Sequence, residues 1–349
     1  MKIAEKPTVA VVIPFYNGSR WIERALRSVH EQTIAADELV IVNDGSDESE
    51  RAILDELALR YGFRLLDKAN GGQGSARNCG VECTTSEYIC FLDQDDYFLP
   101  EHIEDLLGAL PKKDLRFGFL YADLMIADIT GNIIYSHIVR DRGTHPKTSV
   151  VDMVRTDMFV LPSASVISRR AFAAVGGFDP QFTGYEDDDL FMRIFRAGYT
   201  NYYIEKPVTV WCVHGESTSS GIRMQRSRLR YFKKLCATFP DEPSVGLYYF
   251  RDFLVPRFGP HFIRHALEAA KNESEHREEI GEMLREYCNA VISNPSVDRL
   301  YKKRLVRITY LATRCSPAML RVLSNWSHTR GFRSLRRHVG LPKRAGALE

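Results

Sequence analysis

The chain has 349 residues, 44% of them hydrophobic, with 47 Lys or Arg against 45 Asp or Glu. That is long enough for one large core plus a smaller appended region, and too apolar for a disordered chain. The near balance of charge hides an asymmetry: residues 299–344 hold 13 Lys or Arg and no Asp or Glu, so an acidic body is followed by a basic tail.

No run of about 18 apolar residues occurs, and no apolar run near Met1–Thr8 precedes a small-residue cleavage site. A cytoplasmic protein is expected. The seven cysteines include no CxxC pair and read as free packing thiols.

Val9–Ile13 is continuously apolar and ended by Pro14, the pattern of a buried strand in a parallel sheet. Ser19 opens a helix with Trp21, Ile22, Ala25, Leu26 and Val29 on one face, and the chain returns through Glu38–Val42 to Asn43-Asp44-Gly45. A helix over Ser49–Tyr61, a strand near Phe63–Leu66, the loop Asn70–Gly74, a helix from Ser75 and a strand Tyr88–Leu92 continue the alternation. Three such repeats predict an α/β fold, Rossmann-like with a mostly parallel sheet. Further strands are expected at Phe117–Tyr121, Ile133–Val139, Ala164–Ile167 and Val208–Val213. From about Met224 the apolar spacing is helical, broken at Pro240, Pro256, Pro295 and Pro317. The expected domains are therefore an α/β domain over residues 1–222 and a helical region over 223–349.

Ligands of open α/β sheets bind beyond the carboxyl ends of the strands, and there this sequence is polar: Pro14-Phe-Tyr16-Asn17, Asn43-Asp44-Gly45-Ser46 and Asp93-Gln-Asp95-Asp96. Asp93 and Asp95, two apart in an extended segment, point the same way and can reach one hard cation, Mg²⁺ or Mn²⁺, which neutralises a departing diphosphate. A solvated acidic turn is the plainer reading of a lone DxD, and the strand-end position argues against it. Asn70–Asn78 is a glycine-rich loop entering a helix, suited to an anion, with Arg77 supplying a charge-assisted bond. It is neither GxGxxG nor GKS/GKT, which disfavours hydride-transfer enzymes and P-loop NTPases. Glu186-Asp187-Asp188-Asp189 opens a helix, where acids ordinarily complement the dipole. Mutual repulsion among four carboxylates leaves one of them a candidate general base. His214, between the strand-like Val208–Val213 and the hydroxyls of Ser217 and Ser219, is a candidate ligand to the same cation or donor to a phosphate.

In this order the motifs resemble the inverting family 2 glycosyltransferases of GT-A fold, over roughly Thr8–Ser220. Val11–Asn17 is similar to the family's first strand and nucleotide-contacting turn, with Pro14, Tyr16 and Asn17 at the donor. Val40–Ser46 is similar to its second strand, whose aspartate, here Asp44, contacts the base. Gly72–Asn78 is similar to the donor-side loop. Phe91–Asp96 resembles the DxD segment, which assigns Asp93 to the donor ribose and sugar and Asp95 to the metal. Glu186–Leu190 resembles the family's ED motif and so makes Asp187 the base; the departure is Asp188, where an aromatic is common. His214 with Ser217 and Ser219 is similar to the stretch near metal and diphosphate.

The resemblance implies a metal-dependent inverting transfer of a sugar from a nucleotide diphosphate donor, expected to be a UDP-sugar, to a hydroxyl of a saccharide or lipid-linked saccharide acceptor. Cell-surface polysaccharide or glycolipid synthesis is the expected setting. Asp187 takes the acceptor proton, and the metal with Arg77 stabilises the departing diphosphate.

The basic tail admits two readings of equal weight. One is a peripheral helix on the cytoplasmic face of an anionic membrane, with Trp326, Phe332 and Leu335 inserting among Lys302, Lys303, Arg304, Arg307, Arg333, Arg336 and Arg337. The other is a helical tail packed on the acidic body. The chain shows no recognised nucleic-acid-binding motif, and no nucleic acid is expected. A nucleotidyltransferase would carry a basic, Gly-rich loop where Phe15-Tyr16-Asn17 stands. The alternative of a non-catalytic sugar-nucleotide, membrane or nucleic-acid binder is opposed by the intact Asp93, Asp95, Asp187 and His214.

Overall fold

The computed structural model describes residues 6–128, 130–214 and 221–326, with side chains as far as Arg321. The chain forms two compact units, Met1–Ser227 and Arg228–Glu349. In the first, β1 (Val9–Phe15), α1 (Ser19–His30), β2 (Glu38–Asn43), α2 (Glu48–Tyr61), β3 (Arg64–Asp67), α3 (Gln73–Glu82) and β4 (Tyr88–Phe91) alternate. Strands β3, β2, β1 and β4 lie side by side and all parallel. Every residue of β1 is buried, as a strand flanked on both sides by strands and covered on both faces must be, which is why its sequence is apolar without alternation.

β1 runs through Pro14 rather than stopping before it. The Phe15 carbonyl accepts from Asp44 N–H on the β2 side, and the Val12 carbonyl accepts from Leu92 N–H on the β4 side. Even positions therefore face β4, and pairing with β4 ends at Val12. The N–H that proline lacks falls beyond the last ladder bond and breaks nothing.

Past β4 come β5 (Tyr97–Phe98), α4 (His102–Gly108), β6 (Phe117–Ala127), β7 (Ile133–Tyr135), α5 (Val150–Arg155), β8 (Ser165–Ser168), α6 (Arg169–Ala174), α7 (Glu186–Arg196) and β9 (Thr200–Cys212). The sheet continues β4-β8-β6-β9-β5, with β7 on β6. Here it is mixed: β8 is antiparallel to β4 and β6, while β6 and β9 are parallel. β6 is longer than its apolar run because it tolerates a buried acid, Asp123, whose carboxylate accepts backbone N–H bonds from Leu124, Ile138, Val139 and Arg140. The same bonds pull residues 138–140 out of the extended run, so β7 is shorter than Ile133–Val139.

The second unit holds the end of α8 (Ile222–Thr238), then α9 (Val255–Lys271), α10 (Arg277–Ser293), α11 (Arg299–Arg314) and α12 (Pro317–Trp326). Tyr231, Phe232, Phe258, Phe262 and Tyr287 form its aromatic core. Among the described residues no helix is long and apolar enough to cross a membrane. Ser217, Ser219 and the tail from 327 on, with Phe332 and Leu335, lie outside the described residues, as does the side chain of Trp326.

Helix α3 approaches the sheet at Gly80, where a Cβ would stand 2.4 Å from Val12 Cγ1 and 3.1 Å from Val42 Cγ2. Gly80→Val is expected to destabilise the fold by about 1–3 kcal/mol, read as a lower urea midpoint. An unchanged midpoint would mean that α3 can lift from the sheet at no cost.

Candidate functional site

The ends of β1, β2, β4 and β9 and the N-terminus of α7 surround a cleft of about 540 Å³. Pro14, Tyr16, Asn17, Asp44, Gly72, Asp93, Asp95, Asp187 and His214 line it, which is every site residue predicted from sequence except Arg77.

At one end, β1 gives way to a turn in which Asn17 adopts a left-handed φ of 46°. Asn17 and Asp47 hold one another: Asn17 Nδ2 donates to the Asp47 carboxylate (3.3 Å) and Asp47 N–H donates to Asn17 Oδ1 (3.0 Å). From the other side Gln94 Oε1 accepts from Tyr16 N–H (2.8 Å) while its Nε2 donates to the Tyr16 carbonyl (3.1 Å). The Gln94 amide occupies the space that a side chain on Gly18 would need. Asp44, buried at the end of β2, accepts from Lys68 Nζ (2.6 Å), Gly71 N–H (2.9 Å) and Gly72 N–H (2.7 Å). Gly72 does this at φ 85°, a conformation that side chains resist, and its carbonyl accepts the first bond of α3 from Ala76 N–H.

Arg77 is 2% exposed. Its Nη2 donates to Asp93 Oδ1 (2.5 Å), its Nη1 to Glu186 Oε1 (3.5 Å), and the guanidinium lies 5.2 Å from the Phe178 ring centroid. The sequence reading directs this charge to the diphosphate; the structure directs it to two carboxylates that themselves line the cleft. A cation buried against Phe91 and Phe178 needs counter-charges in contact. Gln73 Nε2 donates to the same Asp93 Oδ1 (2.6 Å). Arg77 lines a smaller chamber of about 130 Å³ with Leu161, Pro162, Ser163 and Trp211, and that chamber shares Glu186 and Asp187 with the main cleft. On the wall of the main cleft the exposed cation is Arg223.

His214 Nε2 lies 2.7 Å from Asp95 Oδ2, and its ring stacks on Trp21 with centroids 4.5 Å apart. The neighbouring Asp96 accepts from Cys212 N–H (2.9 Å), fastening the segment after β4 to β9 two residues before the histidine. Burial, then Asp95 and Asp93, push the Asp96 carboxyl well above the usual range. Burial and Asp93 raise Asp95 as well, against the pull of His214. Crowded carboxylates beside an imidazole whose Nδ1 is buried without a partner among the described residues fit a divalent cation, with Asp95 and His214 the pair of donor types that Mn²⁺ or Mg²⁺ accepts. Among the described residues no group of three or more His, Cys, Asp or Glu could hold an ion. The other coordination positions would fall to substrate or water oxygens.

The four acids at the start of α7 are allotted separately. Glu186 faces Arg77. Asp188, at the position where an aromatic is common, is buried and accepts from Met158 N–H (3.2 Å). Asp189 pairs with Arg193 Nε (2.7 Å), which also reaches the carbonyls of Val175 and Gly177. Asp187 is left facing the cleft, its Oδ1 accepting from Asp188 N–H (2.8 Å). Burial first, then Glu186, raise its carboxyl to about 7; the Asp188 N–H and Arg77 hold it down, and Asp157 adds to the rise. A carboxylate near neutrality beside a cleft can take a proton from a hydroxyl. Of the four, Glu186 and Asp187 line the cleft, and Glu186 already faces Arg77.

Sequence reasoning missed Gln94, Lys68, Trp21 and Arg223. Gln94 left a signal, since the residue between two acids of an extended segment faces the opposite side. The other three needed the fold.

Residues 10–129 match the sequence profile described as Glycosyl transferase family 2. The match covers about a third of the chain and lies wholly within the first unit. The chain is 30% identical to the chondroitin synthase of Escherichia coli over 217 residues, covering 61% of this chain and 30% of that protein. It spans from about a third to two thirds of the length of the curated relatives it matches. The structure resembles Staphylococcus aureus TarS 1–349 in complex with UDP-GlcNAc, with a TM-score of 0.63, 16% identity, and coverage of 88% of this chain and 89% of that one. It also resembles a mannosyltransferase of Pyrobaculum calidifontis in complex with GDP-Man and Mn²⁺, with a TM-score of 0.55, 17% identity, and coverage of 89% and 88%. Both likenesses are of GT-A fold. The family 2 match ends at residue 129 and so holds the turns after β1, β2 and β4, while Asp187 and His214 lie beyond it.

Gln94→Ala releases the Tyr16 turn without removing a charge. At about 1 kcal/mol for each of two hydrogen bonds, the urea midpoint of the protein is expected to fall by the equivalent of about 1–2 kcal/mol. An undiminished midpoint would show that the turn holds without the clamp.

Proposed function

We propose that the protein is an inverting glycosyltransferase that moves a sugar from UDP to a hydroxyl of a saccharide or lipid-linked saccharide, in the synthesis of a cell-surface polysaccharide or glycolipid. The observation that carries this reading is Asp187, raised to about 7 and facing a cleft whose opposite end has the features of a nucleotide site.

Asp44 supports uracil as the base. A carboxylate offers about four lone-pair positions, and Lys68, Gly71 and Gly72 occupy three of them. The remaining position suits the single ring N–H of uracil, whereas guanine presents two adjacent donors. Arg77 and Gln73 both bind Oδ1 of Asp93, which leaves Oδ2 for a ribose or sugar hydroxyl. Trp211, Leu161 and Pro162 offer apolar surface to a sugar ring in the smaller chamber.

Asp187 accepts the proton of the acceptor hydroxyl. As that oxygen bonds to the anomeric carbon, the bond from this carbon to the diphosphate oxygen breaks and its electron pair leaves with the diphosphate. Attack from the opposite face inverts the anomeric configuration. Arg223 is the side-chain cation on the cleft wall available to the departing charge. Asp95 and His214 would hold a Mn²⁺ or Mg²⁺ ion, which when bound supplies positive charge to the diphosphate oxygens. A lipid-linked acceptor would be met at the cytoplasmic face of a membrane, with residues 299–344 as the cationic contact.

Thermal unfolding with UDP or GDP, each with and without Mn²⁺, tests donor and metal together. UDP with Mn²⁺ is expected to stabilise the protein by about 2.7 kcal/mol at a hundredfold excess over Kd, with no response to GDP and a much smaller one for Asp95→Ala. A response to GDP alone, or to neither nucleotide, would sink the reading.

Asp187→Asn is expected to lose about 10²- to 10⁴-fold in kcat while still binding UDP. For the native protein, kcat/KM should fall about tenfold per pH unit below pH 7 as Asp187 becomes protonated. The stability effect has the opposite sense. A carboxyl titrating near 7 in the fold and near 4 unfolded contributes stability that is complete below about pH 4 and lost as pH rises through about 7. Asp187→Asn should therefore melt above the native protein at pH 8 and level with it at pH 4. Retained turnover in this variant would remove Asp187 from the reaction.

A further inference from the structure

Helix α11 sorts its residues onto two faces. Leu305, Thr309 and Ala312 are buried. Leu305 is thus committed to the interior of its unit. At 3.6 residues per turn, the opposite face is an arc of about 120°. It displays the exposed cations Arg299, Lys303, Arg307 and Arg314. Between them stand Leu300, Val306 and Tyr310, exposed by 53%, 45% and 64%.

Nothing else occupies that arc, and the helix contains no Asp or Glu. None of the four cations has an ion-pair partner among the described residues, whereas many other cations of the chain, such as Arg51, Lys206 and Arg321, do. A helix face turned only to water ordinarily mixes both signs of charge and keeps large apolar side chains few. Unpaired cations interleaved with large apolar groups match a surface that is anionic at its plane and apolar just beneath.

We propose that this outer face of α11 docks on a membrane rich in anionic phospholipid, with the helix lying in the headgroup plane. The four cations meet lipid phosphates, and Leu300, Val306 and Tyr310 enter the acyl boundary. A nucleic-acid backbone would satisfy the cations but give the aliphatic Leu300 and Val306 no partner, so lipid is the better match. The surface uses no residue of the cleft; the inference rests on the membrane contact proposed above for residues 299–344 and narrows it to one helix face, and lipid binding is read apart from sugar transfer.

The test is co-sedimentation of the full chain with vesicles of phosphatidylcholine alone, and with about a third of phosphatidylglycerol added. Binding is expected only to the anionic vesicles and should weaken with salt. At roughly fivefold per cation, Lys303→Glu with Arg307→Glu is expected to reduce affinity at least about 25-fold. Val306→Ser with Tyr310→Ser should reduce it several-fold without changing the salt dependence. All four positions are exposed or at the surface of one helix, so both variants should melt as the native protein does and keep its response to UDP. The proposal is overturned if the two vesicle types bind alike. It is equally overturned if either α11 variant binds as the native chain does, which would locate the contact elsewhere. Tighter binding to a duplex oligonucleotide than to anionic vesicles, indifferent to the Val306 and Tyr310 changes, would assign the face to nucleic acid instead.

Discussion

The site is organised by one buried cation. Arg77, on α3, reaches Asp93 after β4 and Glu186 at the start of α7, so a single guanidinium joins three elements that meet at the cleft floor. Removing it would leave the buried Glu186 and the half-buried Asp93 without their counter-charge, a larger penalty than the loss of two hydrogen bonds. Because Arg77 neutralises Asp93 and Glu186, Asp187 feels only part of the surrounding negative charge. The guanidinium thus also holds down the proton affinity of Asp187.

Much of the fold was legible because parallel strands announce themselves. Val9–Ile13 and Glu38–Val42 are apolar without alternation, and that pattern has few homes other than a sheet covered on both faces. Legibility failed where side chains overrode local pattern: Asp123 sits within β6 because four backbone N–H groups hold it, and Pro14 sits within β1 because its neighbour strand has already ended. Both exceptions are hydrogen-bond facts about partners remote in sequence.

The site was legible in membership more than in role. Strand ends drew attention to Asp44, Asp93 and Asp95, and the polar turn to His214. What spacing could not give was the allotment of charges among them. Arg77 and Arg223 are equally cationic on paper, yet one is 2% exposed and bound to carboxylates and the other stands on the cleft wall. The run Glu186–Asp189 likewise conceals four different environments, distinguished only by Arg77, Met158, Arg193 and the open cleft.

The bond from Cys212 N–H to Asp96 joins positions 116 apart in sequence, and the His214 contact to Asp95 spans 119. Closing loops of that length is entropically slow, and contacts of high sequence separation form late. The Asn17–Asp47 pair and the turn after β2, by contrast, are built from neighbours fewer than 31 residues apart, while the Gln94 clamp on Tyr16 spans 78. A chain emerging from synthesis or recovering from partial unfolding would thus regain the Asn17 and Asp44 turns before the Gln94 clamp and before its paired aspartate and imidazole.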